Sequence, residues 1–200
     1  MKVVGVGAGP GMLTFEAAKA IGEARLIYGS ERAIELASSQ IDPRSDVQVI
    51  DDYKTLRELP DDAVVLSTGD PMLSGLGYLD GEIVPGISSM QVACARLGLS
   101  QIRVVPITVH GRKMEPGSIA EEIGRGKCVF LLVDDSTDLA RLCQHLEKRG
   151  LGREVAVLTD LGYPEEKVVM GNTSDPPLSD GLACVMIGIY NHLTQENDED

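Results

Sequence analysis

The chain has 200 residues, 43% of them hydrophobic, and a formal net charge of −13 at pH 7, which is ordinary composition for a folded protein of one or two domains. The acidic excess argues against nucleic acid as a partner, because phosphate binding requires a basic face. No apolar run approaches the ~20 residues that span a bilayer, and the N-terminus enters a predicted strand with no secretion signal, so we expect a cytoplasmic protein.

The first half of the chain alternates short apolar strands with helices. Strands are predicted at residues 2–6, 24–28, 47–50, 63–67 and 82–84. Helices are predicted at residues 12–21, 31–37 with Ser30 as the cap, 53–59, and 89–97 with Ser88 as the cap. In the first helix, Phe15, Ala18 and Ile21 are expected to share one face. This alternation predicts a parallel sheet with crossover helices.

The second half has a different pattern. Strands are predicted at residues 103–109, 127–133, 154–159, 167–170 and 182–189, and helices at residues 116–124 and 138–149. Pro106 indicates an edge or bulged strand, and Ser136 is expected to cap the second helix. The last two strands are expected to pair in antiparallel fashion across the turn Asp175–Asp180.

The predicted fold class is therefore α/β with two domains and a cleft between them. The first domain, residues 1–101, carries a mainly parallel sheet, and the second, residues 102–190, a mixed sheet. Residues 191–200 form an acidic tail that is expected to be disordered and solvated.

The four cysteines indicate no metal or disulfide framework. None belongs to a C-x-x-C pair, and all fall in predicted helices or strands: Cys94, Cys128, Cys143 and Cys184. Cysteine in such positions behaves as a small hydrophobic residue. We therefore expect buried, reduced thiols and no bound metal.

Three glycine-rich loops follow predicted strands. They are Gly5-Val-Gly-Ala-Gly-Pro-Gly11, Ser67-Thr-Gly-Asp-Pro-Met-Leu-Ser-Gly-Leu-Gly77 and Pro85-Gly-Ile-Ser-Ser89. Glycine lets the backbone approach a ligand closely or adopt positive φ, and proline shapes the turn. Loops of this kind at the carboxyl ends of strands are typical of ligand sites.

The first loop overlaps the dinucleotide-binding fingerprint, but two features do not fit it. Pro10 removes a backbone N–H that a phosphate could use. The second strand should end on an acidic residue for the ribose, whereas Glu31 falls in the following helical turn. A nicotinamide-dependent oxidoreductase stays an alternative, as does a tight turn that contacts no ligand.

The combination of motifs resembles the tetrapyrrole methylase family. The resemblance rests on Gly7-Ala-Gly-Pro-Gly11, Ser67-Thr-Gly-Asp-Pro71 and Pro85-Gly-Ile-Ser-Ser89, and extends from residue 2 to about 190. The chain is most similar to the branch that methylates carbon 5 of cobalt-precorrin-7 in cobalamin biosynthesis. That similarity rests on Ala95-Arg-Leu-Gly98, His110-Gly-Arg112 and Leu161-Gly-Tyr-Pro-Glu-Glu166.

The resemblance implies an S-adenosylmethionine (SAM) enzyme and a homodimer. It also implies methyl transfer by alignment, with no catalytic side chain and no metal, and a separate protein for methylation at carbon 15 and decarboxylation. Carried over to this chain, the SAM-binding residues are Pro10, Gly69, Asp70, Pro71, Leu73, Ser88, Ser89, Leu132, Val133, Leu161 and Ala183. His110 and Arg112 are the implied substrate contacts, and an arginine suits a corrin carboxylate.

Other interpretations of these residues and of the chain stay open. Asp70 could cap a helix after Pro71, Ser88 could cap the next helix, and the apolar residues of the second domain could simply be core. His110 could be a structural hydrogen-bonding residue. A sibling methylase acting at another ring carbon or on a protein side chain, or a non-catalytic binding protein with the same fold, would carry the same loops.

Overall fold

The computed structural model describes residues 1–73, 75–109, 111, 114–178 and 181–188. The chain divides into two compact units, Met1–Ser89 and Met90–Asp200. Each unit contains one five-stranded sheet, parallel in the first and mixed in the second, so the predicted α/β class is confirmed. The domain boundary predicted after residue 101 stays a prediction, and the predicted acidic tail lies outside the described residues. No described helix has both the length and the apolar character of a membrane span.

The first unit follows the predicted alternation of strands and helices. Its elements are β1 (Lys2–Gly5), α1 (Phe15–Gly22), β2 (Leu26–Gly29), α2 (Glu31–Ala37), β3 (Asp46–Val49), β4 (Val64–Ser67) and β5 (Glu82–Val84). Short 3₁₀ turns lie at Ser38–Gln40 and at Thr55–Glu58, where a helix over 53–59 was expected. The strand order is β3-β2-β4-β1-β5, and every pair is parallel. All five carboxyl ends therefore lie at one edge of the sheet.

Alternation along the central strands buries both faces of this sheet. Val4 and Leu66 face the cluster formed with α1 and α2. Val3 and Val65 face the opposite cluster, with Leu56. Because successive side chains point to opposite faces of a strand, runs of valine and leucine supply both clusters.

The first helix begins at Phe15, later than residue 12, where the sequence predicted its start. Thr14 is its N-cap, and the Thr14 hydroxyl accepts from the amide of Ala17 at 3.1 Å. The buried face consists of Ala17 and Ile21, whereas Phe15 is 98% exposed. The expected face was therefore wrong for Phe15, whereas Ile21 is buried and Ala18 half-buried.

The second unit begins in α3 and carries the mixed sheet. Its elements are α3 (Ser89–Leu97), β6 (Val104–Thr108), α4 (Pro116–Gly124), β7 (Cys128–Leu132), α5 (Leu139–Lys148), β8 (Glu154–Thr159), β9 (Lys167–Asn172) and β10 (Ala183–Gly188). The strand order is β6-β7-β10-β8-β9. Among the described strands of this sheet, β6 and β7 pair in parallel and the other three pairs are antiparallel. Pro106 lies in the edge strand β6, as its missing N–H donor predicts.

The expected pairing of the last two strands is wrong. β10 lies between β7 and β8, and β9 pairs with β8 at the sheet edge. Five of the six residues of β10 are buried, whereas β9 is largely exposed. A strand buried on both faces needs neighbours on both sides, so β10 takes the interior position.

The N-cap residue of α5 also differs from the one expected. Asp138, not Ser136, is the N-cap, and its carboxylate accepts from the amide of Arg141 at 2.9 Å. The Ser136 hydroxyl donates instead to Asp134 at 2.6 Å. Ser30 does cap α2, accepting from the amide of Ala33 at 3.2 Å as predicted.

All four cysteines are buried, as expected. Burial raises the pKa of Cys143 to about 11 and that of Cys184 to about 12. A thiol reacts through its thiolate, so we expect these thiols to be unreactive in the folded protein.

Candidate functional site

The three glycine-rich loops meet at the carboxyl edge of the first sheet. β1 lies between β4 and β5, with Gly5 opposite Ser67 and Val4 opposite Val84. Beyond the strands, Gly7 and Gly69 continue the contact: the amide of Gly69 donates to the Gly7 carbonyl at 2.8 Å, and the amide of Gly7 to the Gly69 carbonyl at 3.2 Å. Parallel pairing thus brings together loops that are far apart in sequence.

Glycine is required where the loops touch. A Cβ on Gly86 would stand 2.2 Å from the Gly69 carbonyl oxygen and 2.9 Å from the Cα of Gly5. A Cβ on Gly5 would stand 2.6 Å from the Gly86 nitrogen. No side chain fits in this space, so the loops pack main chain against main chain. We call Gly5, Gly69 and Gly86 the glycine junction.

Asp70 connects two of these loops through its carboxylate. One oxygen accepts from the amide of Met72 at 2.8 Å, and the other accepts from the amide of Gly86 at 2.9 Å. The described residues from Pro71 to Asp80 form turns rather than a helix, so the helix-capping interpretation of Asp70 is wrong. Asp70 therefore organises the site, and contact with a ligand stays a prediction.

The rest of the second loop is folded tightly behind Asp70. The amide of Gly77 donates to the carbonyl of Pro71 at 2.9 Å, and the amide of Leu73 to the carbonyl of Asp70 at 3.1 Å. A Cβ on Gly77 would stand 2.8 Å from that Pro71 oxygen. Pro71 is buried and Leu73 half-buried. Pro71 thus belongs to the loop framework, whereas Leu73 remains partly accessible.

Arg32 fixes the first loop, and the sequence did not single it out. Its guanidinium Nη2, from the first turn of α2, donates to the carbonyl of Ala8 at 2.9 Å. Pro10, the predicted contact in this loop, is exposed two residues further on. No motif around Arg32 indicated this role, because the contact depends on how α2 packs beside the loop.

The third loop leads directly into α3. Ser88 is 4% exposed, and its Cα lies 3.9 Å from the place that a Cβ on Gly69 would take. Ser89 is half-buried as the first residue of the helix. Ser88 therefore lies beside the glycine junction, Ser89 follows it as the first residue of α3, and the capping role of Ser88 stays a prediction.

The chemical character of the three loops is also informative. Residues 5–11, 67–77 and 85–89 contain no Lys, Arg or His, and one carboxylate, that of Asp70. An anionic phosphate would find no cationic side chain within these loops. A ligand with a positive centre would instead meet carbonyl oxygens and a carboxylate, which carry negative charge.

The topology does not support the dinucleotide alternative. In the dinucleotide-binding fold, the first strand lies next to the second. Here β4 separates β1 from β2. Glu31 is exposed in the first turn of α2 rather than at the end of β2.

The predicted apolar contacts of the second unit lie at one end of its sheet. Strand pairing sets Leu132 opposite Cys184 and Ala183 opposite Thr159. Val133 directly follows β7 and is 9% exposed, and Leu161, two residues after the end of β8, is 5% exposed. Val133 and Ala183 also pack against the core cluster under α4 and α5. The register brings these residues together, and the core interpretation stays open beside the binding one.

The predicted substrate residues His110 and Arg112 lie outside the described residues. Gly111, between them, has φ of +64°, and its amide donates to the carboxylate of Asp134 at 2.7 Å. Hydrogen bonds from the Ser136 hydroxyl and the Gly111 amide lower the pKa of Asp134 to about 2. Asp134 is a second anchoring residue that the sequence did not indicate.

Comparison with known proteins identifies the family. The family profile described as Tetrapyrrole (Corrin/Porphyrin) Methylases matches residues 2–177. A probable cobalt-precorrin-7 C(5)-methyltransferase of Methanocaldococcus jannaschii is 31% identical over 183 residues, which cover 82% of this chain and 85% of the relative. A decarboxylating precorrin-6Y C(5,15)-methyltransferase of Sinorhizobium sp. is 31% identical over 188 residues, 84% of this chain; the match spans only 44% of that relative's length.

A solved structure agrees with these relatives. The precorrin-6Y methylase of cobalamin biosynthesis from Archaeoglobus fulgidus superposes with a TM-score of 0.74 at 28% sequence identity, covering 94% of this chain and 97% of that one. The matched residues include all three glycine-rich loops of the first unit. The chain therefore belongs to the tetrapyrrole (corrin/porphyrin) methylase family.

Proposed function

We propose that this chain is a SAM-dependent methyltransferase of cobalamin biosynthesis that methylates carbon 5 of the corrin precursor cobalt-precorrin-7. Family membership supports the reaction class. The named activity of the M. jannaschii relative, matched over 85% of its length, supports the choice of carbon 5. The observation that carries the proposal is the glycine junction, where three loops meet at one sheet edge and Gly69 stays partly accessible.

The residues present fit SAM as the methyl donor. Its sulfonium is cationic, and the loops offer backbone carbonyls and the Asp70 carboxylate but no basic side chain. Gly69, Asp70 and Leu73 would contact the donor mainly through their main chain, and Pro71 would shape that turn. The contacts predicted at Pro10, Ser88 and Ser89 lie in the other two loops.

Methyl transfer mainly requires that the protein align the donor with the ring carbon that attacks it. SAM supplies an activated methyl group that a nucleophilic ring carbon attacks in line. The loops hold the donor at a fixed position because Asp70 and the glycine junction tie the second loop to the third. Orientation of this kind is worth about 7–11 kcal/mol when the reacting atoms are held at near-attack distance. No side chain of the described loops is required as a base.

Substrate recognition is proposed for the second unit. Arg112 would bind a carboxylate of the corrin through its planar fork of donors, and His110 would lie beside it. Asp134 supports this segment by holding the amide of Gly111. The contacts proposed for the donor at Leu132, Val133, Leu161 and Ala183 lie at one end of the second sheet.

Three further features are part of the proposal. The enzyme acts as a homodimer in the cytoplasm, as the family resemblance implies. A separate protein carries out methylation at carbon 15 and decarboxylation. The relative named for carbon 5 alone is matched over most of its length, which supports this division of labour.

The proposal is tested by incubating the protein with cobalt-precorrin-7 and SAM labelled with ¹³C in its methyl group. We expect one added methyl group by mass analysis, located at carbon 5 by NMR. A product methylated at another carbon would identify a sibling methylase. Binding of S-adenosylhomocysteine without any transfer would instead indicate a non-catalytic protein.

A further inference from the structure

Arg96 and Glu166 form an ion pair with two contacts in the second unit. The guanidinium of Arg96, near the end of α3, donates through Nε to one oxygen of Glu166 and through Nη2 to the other at 3.2 Å. That second oxygen also accepts from the amide of Gly162 at 2.7 Å. Glu166 therefore joins α3 to the loop between β8 and β9.

The loop itself has a backbone that needs such support. Residues 160–166 contain two left-handed positions, Asp160 with φ of +50° and Gly162 with φ of +82°. A non-glycine residue in this region is strained and persists where its surroundings hold it. The amide of Asp160 donates to the carbonyl of Leu182 at 3.0 Å, next to Ala183. Leu161, a predicted donor contact, lies between the two left-handed residues.

The pair is poorly placed to act as a stability device. The side chains of Arg96 and Glu166 are 44% and 18% exposed, and ion pairs with this much solvent contribute little to folding. Their geometry is nevertheless specific, because a two-point arginine contact fixes direction as well as distance. The hydrogen bond from Arg96 lowers the pKa of Glu166, so the carboxylate is charged at neutral pH.

We propose that Arg96 and Glu166 are positioning residues for the methyl donor, holding the 160–166 loop in the conformation that presents Leu161. This inference rests on the proposed function, since it requires SAM to bind this chain and Leu161 to contact it. It explains why two separate motifs of the sequence, Ala95–Gly98 and Leu161–Glu166, occur together: Arg96 belongs to one and Glu166 to the other. α3 also begins at Ser89, the last residue of the third glycine-rich loop.

The test measures donor affinity and stability separately. Arg96→Ala and Glu166→Ala are compared with the wild type for the dissociation constant of S-adenosylhomocysteine by calorimetry and for melting temperature. We expect Glu166→Ala to raise the dissociation constant about threefold to thirtyfold, with a smaller rise for Arg96→Ala, because Gly162 keeps its acceptor there. The melting temperature should change little.

A matched control comes from α4. Glu122 of that helix and Arg125, its C-cap residue, form an exposed ion pair at 2.6 Å, with no contact to the loop described for either side chain. Arg125→Ala should leave the dissociation constant unchanged. The conservative variant Arg96→Lys keeps the charge with a single contact, so we expect an intermediate affinity. With substrate, the donor KM should rise in these variants while kcat stays close to that of the wild type.

The outcomes separate the two proposals. If the wild type does not bind S-adenosylhomocysteine, the proposed function fails and this inference fails with it. If the wild type binds and Arg96→Lys, Glu166→Gln and the alanine variants bind equally well, only the inference is overturned. A loss of affinity that Arg125→Ala shows to the same degree would also overturn it. Glu166→Gln preserves side-chain size and Arg96→Lys keeps most of the aliphatic stem, so these variants give a result even where an alanine variant does not fold.

Discussion

The carboxylate of Asp70 accepts a hydrogen bond from the amide of Gly86 at 2.9 Å, across sixteen residues of sequence. Its other oxygen accepts from the amide of Met72 at 2.8 Å. One side chain thus closes its own turn and attaches that turn to the loop that follows β5. The architecture of the proposed donor site and its chemistry therefore depend on the same group.

Replacing Asp70 should affect stability and binding together. Asp70→Ala removes both acceptors, and hydrogen bonds to a charged group are worth about 1.5–3 kcal/mol each, so we expect the free energy of unfolding to fall by about 2–4 kcal/mol. The dissociation constant of S-adenosylhomocysteine should rise at least about tenfold. The stability and the affinity of Asp70→Asn should lie between those of the wild type and those of Asp70→Ala, because the amide group offers one acceptor oxygen instead of two. Urea unfolding and calorimetry measure these effects.

Asp52 is the matched control for that substitution. Its carboxylate also accepts from a nearby amide, that of Lys54 at 2.9 Å, in an exposed turn. Asp52→Ala should leave S-adenosylhomocysteine affinity unchanged. An affinity for Asp70→Ala equal to that of the wild type would show that the loop connection is not needed for binding.

A methyl group at Gly86 should disrupt the glycine junction. The added Cβ would stand 2.2 Å from the Gly69 carbonyl, so backbone has to move. Overpacking a core typically lowers stability by up to ~3 kcal/mol, and we expect Gly86→Ala to lower the free energy of unfolding by this much or more. We also expect the substitution to abolish donor binding. Gly117→Ala, in α4 with open space around it, should instead stabilise by about 0.5–1 kcal/mol. A Gly86→Ala protein with wild-type stability and affinity would contradict the close packing of the loops.

Asp134 should make stability depend on pH in acid. Its pKa is lowered from 3.8 to about 2 in the folded protein, chiefly by the Ser136 hydroxyl and the Gly111 amide. A depressed folded-state pKa means that its stabilisation is present above about pH 4 and is lost as pH falls toward 2. The difference in unfolding free energy between the wild type and Asp134→Asn should therefore shrink between pH 4 and pH 2. A difference that stays constant over this range would rule out the carboxylate as its source.

The thiols should be unreactive until the protein unfolds. All four are buried, and burial raises the pKa of Cys143 to about 11 and that of Cys184 to about 12. A disulfide reagent at pH 8 should react slowly with the native protein and fast with four thiols in urea. Rapid reaction of a native thiol would show that one of these positions opens to solvent.

Much of the fold follows from local pattern. The alternation of apolar strands with helices predicted a parallel first sheet, and Ser30 predicted the start of α2. The bounds of α4 and β8 coincide with those expected. Such features are local, because caps, prolines and hydrophobic period act within a few residues of each other.

The arrangement of the last strands did not follow from neighbouring sequence. Hairpin pairing of β9 with β10 was expected because they are consecutive, whereas β10 pairs with β7 and β8. A signal was present: β10 is a continuous apolar run, typical of an interior strand, and β9 begins with lysine and ends with asparagine. Burial of β10 on both faces therefore accounts for its interior position in the strand order.

Some features of the candidate site could be predicted from the sequence, and others could not. The glycine-rich loops were visible in sequence because glycine and proline mark strained turns. The partners of Asp70, Arg32 and Asp134 were not, since each bonds to backbone brought near by the fold. Backbone acceptors and donors carry no residue identity, so sequence gives no sign of them.

The most direct test of the account is a crystal structure of the protein grown with S-adenosylhomocysteine. We predict density for the ligand at the carboxyl edge of the first sheet, with Gly69, Asp70 and Leu73 against it through their main chain. Ligand density at any other place on the chain, or none at a concentration that saturates binding, would contradict it.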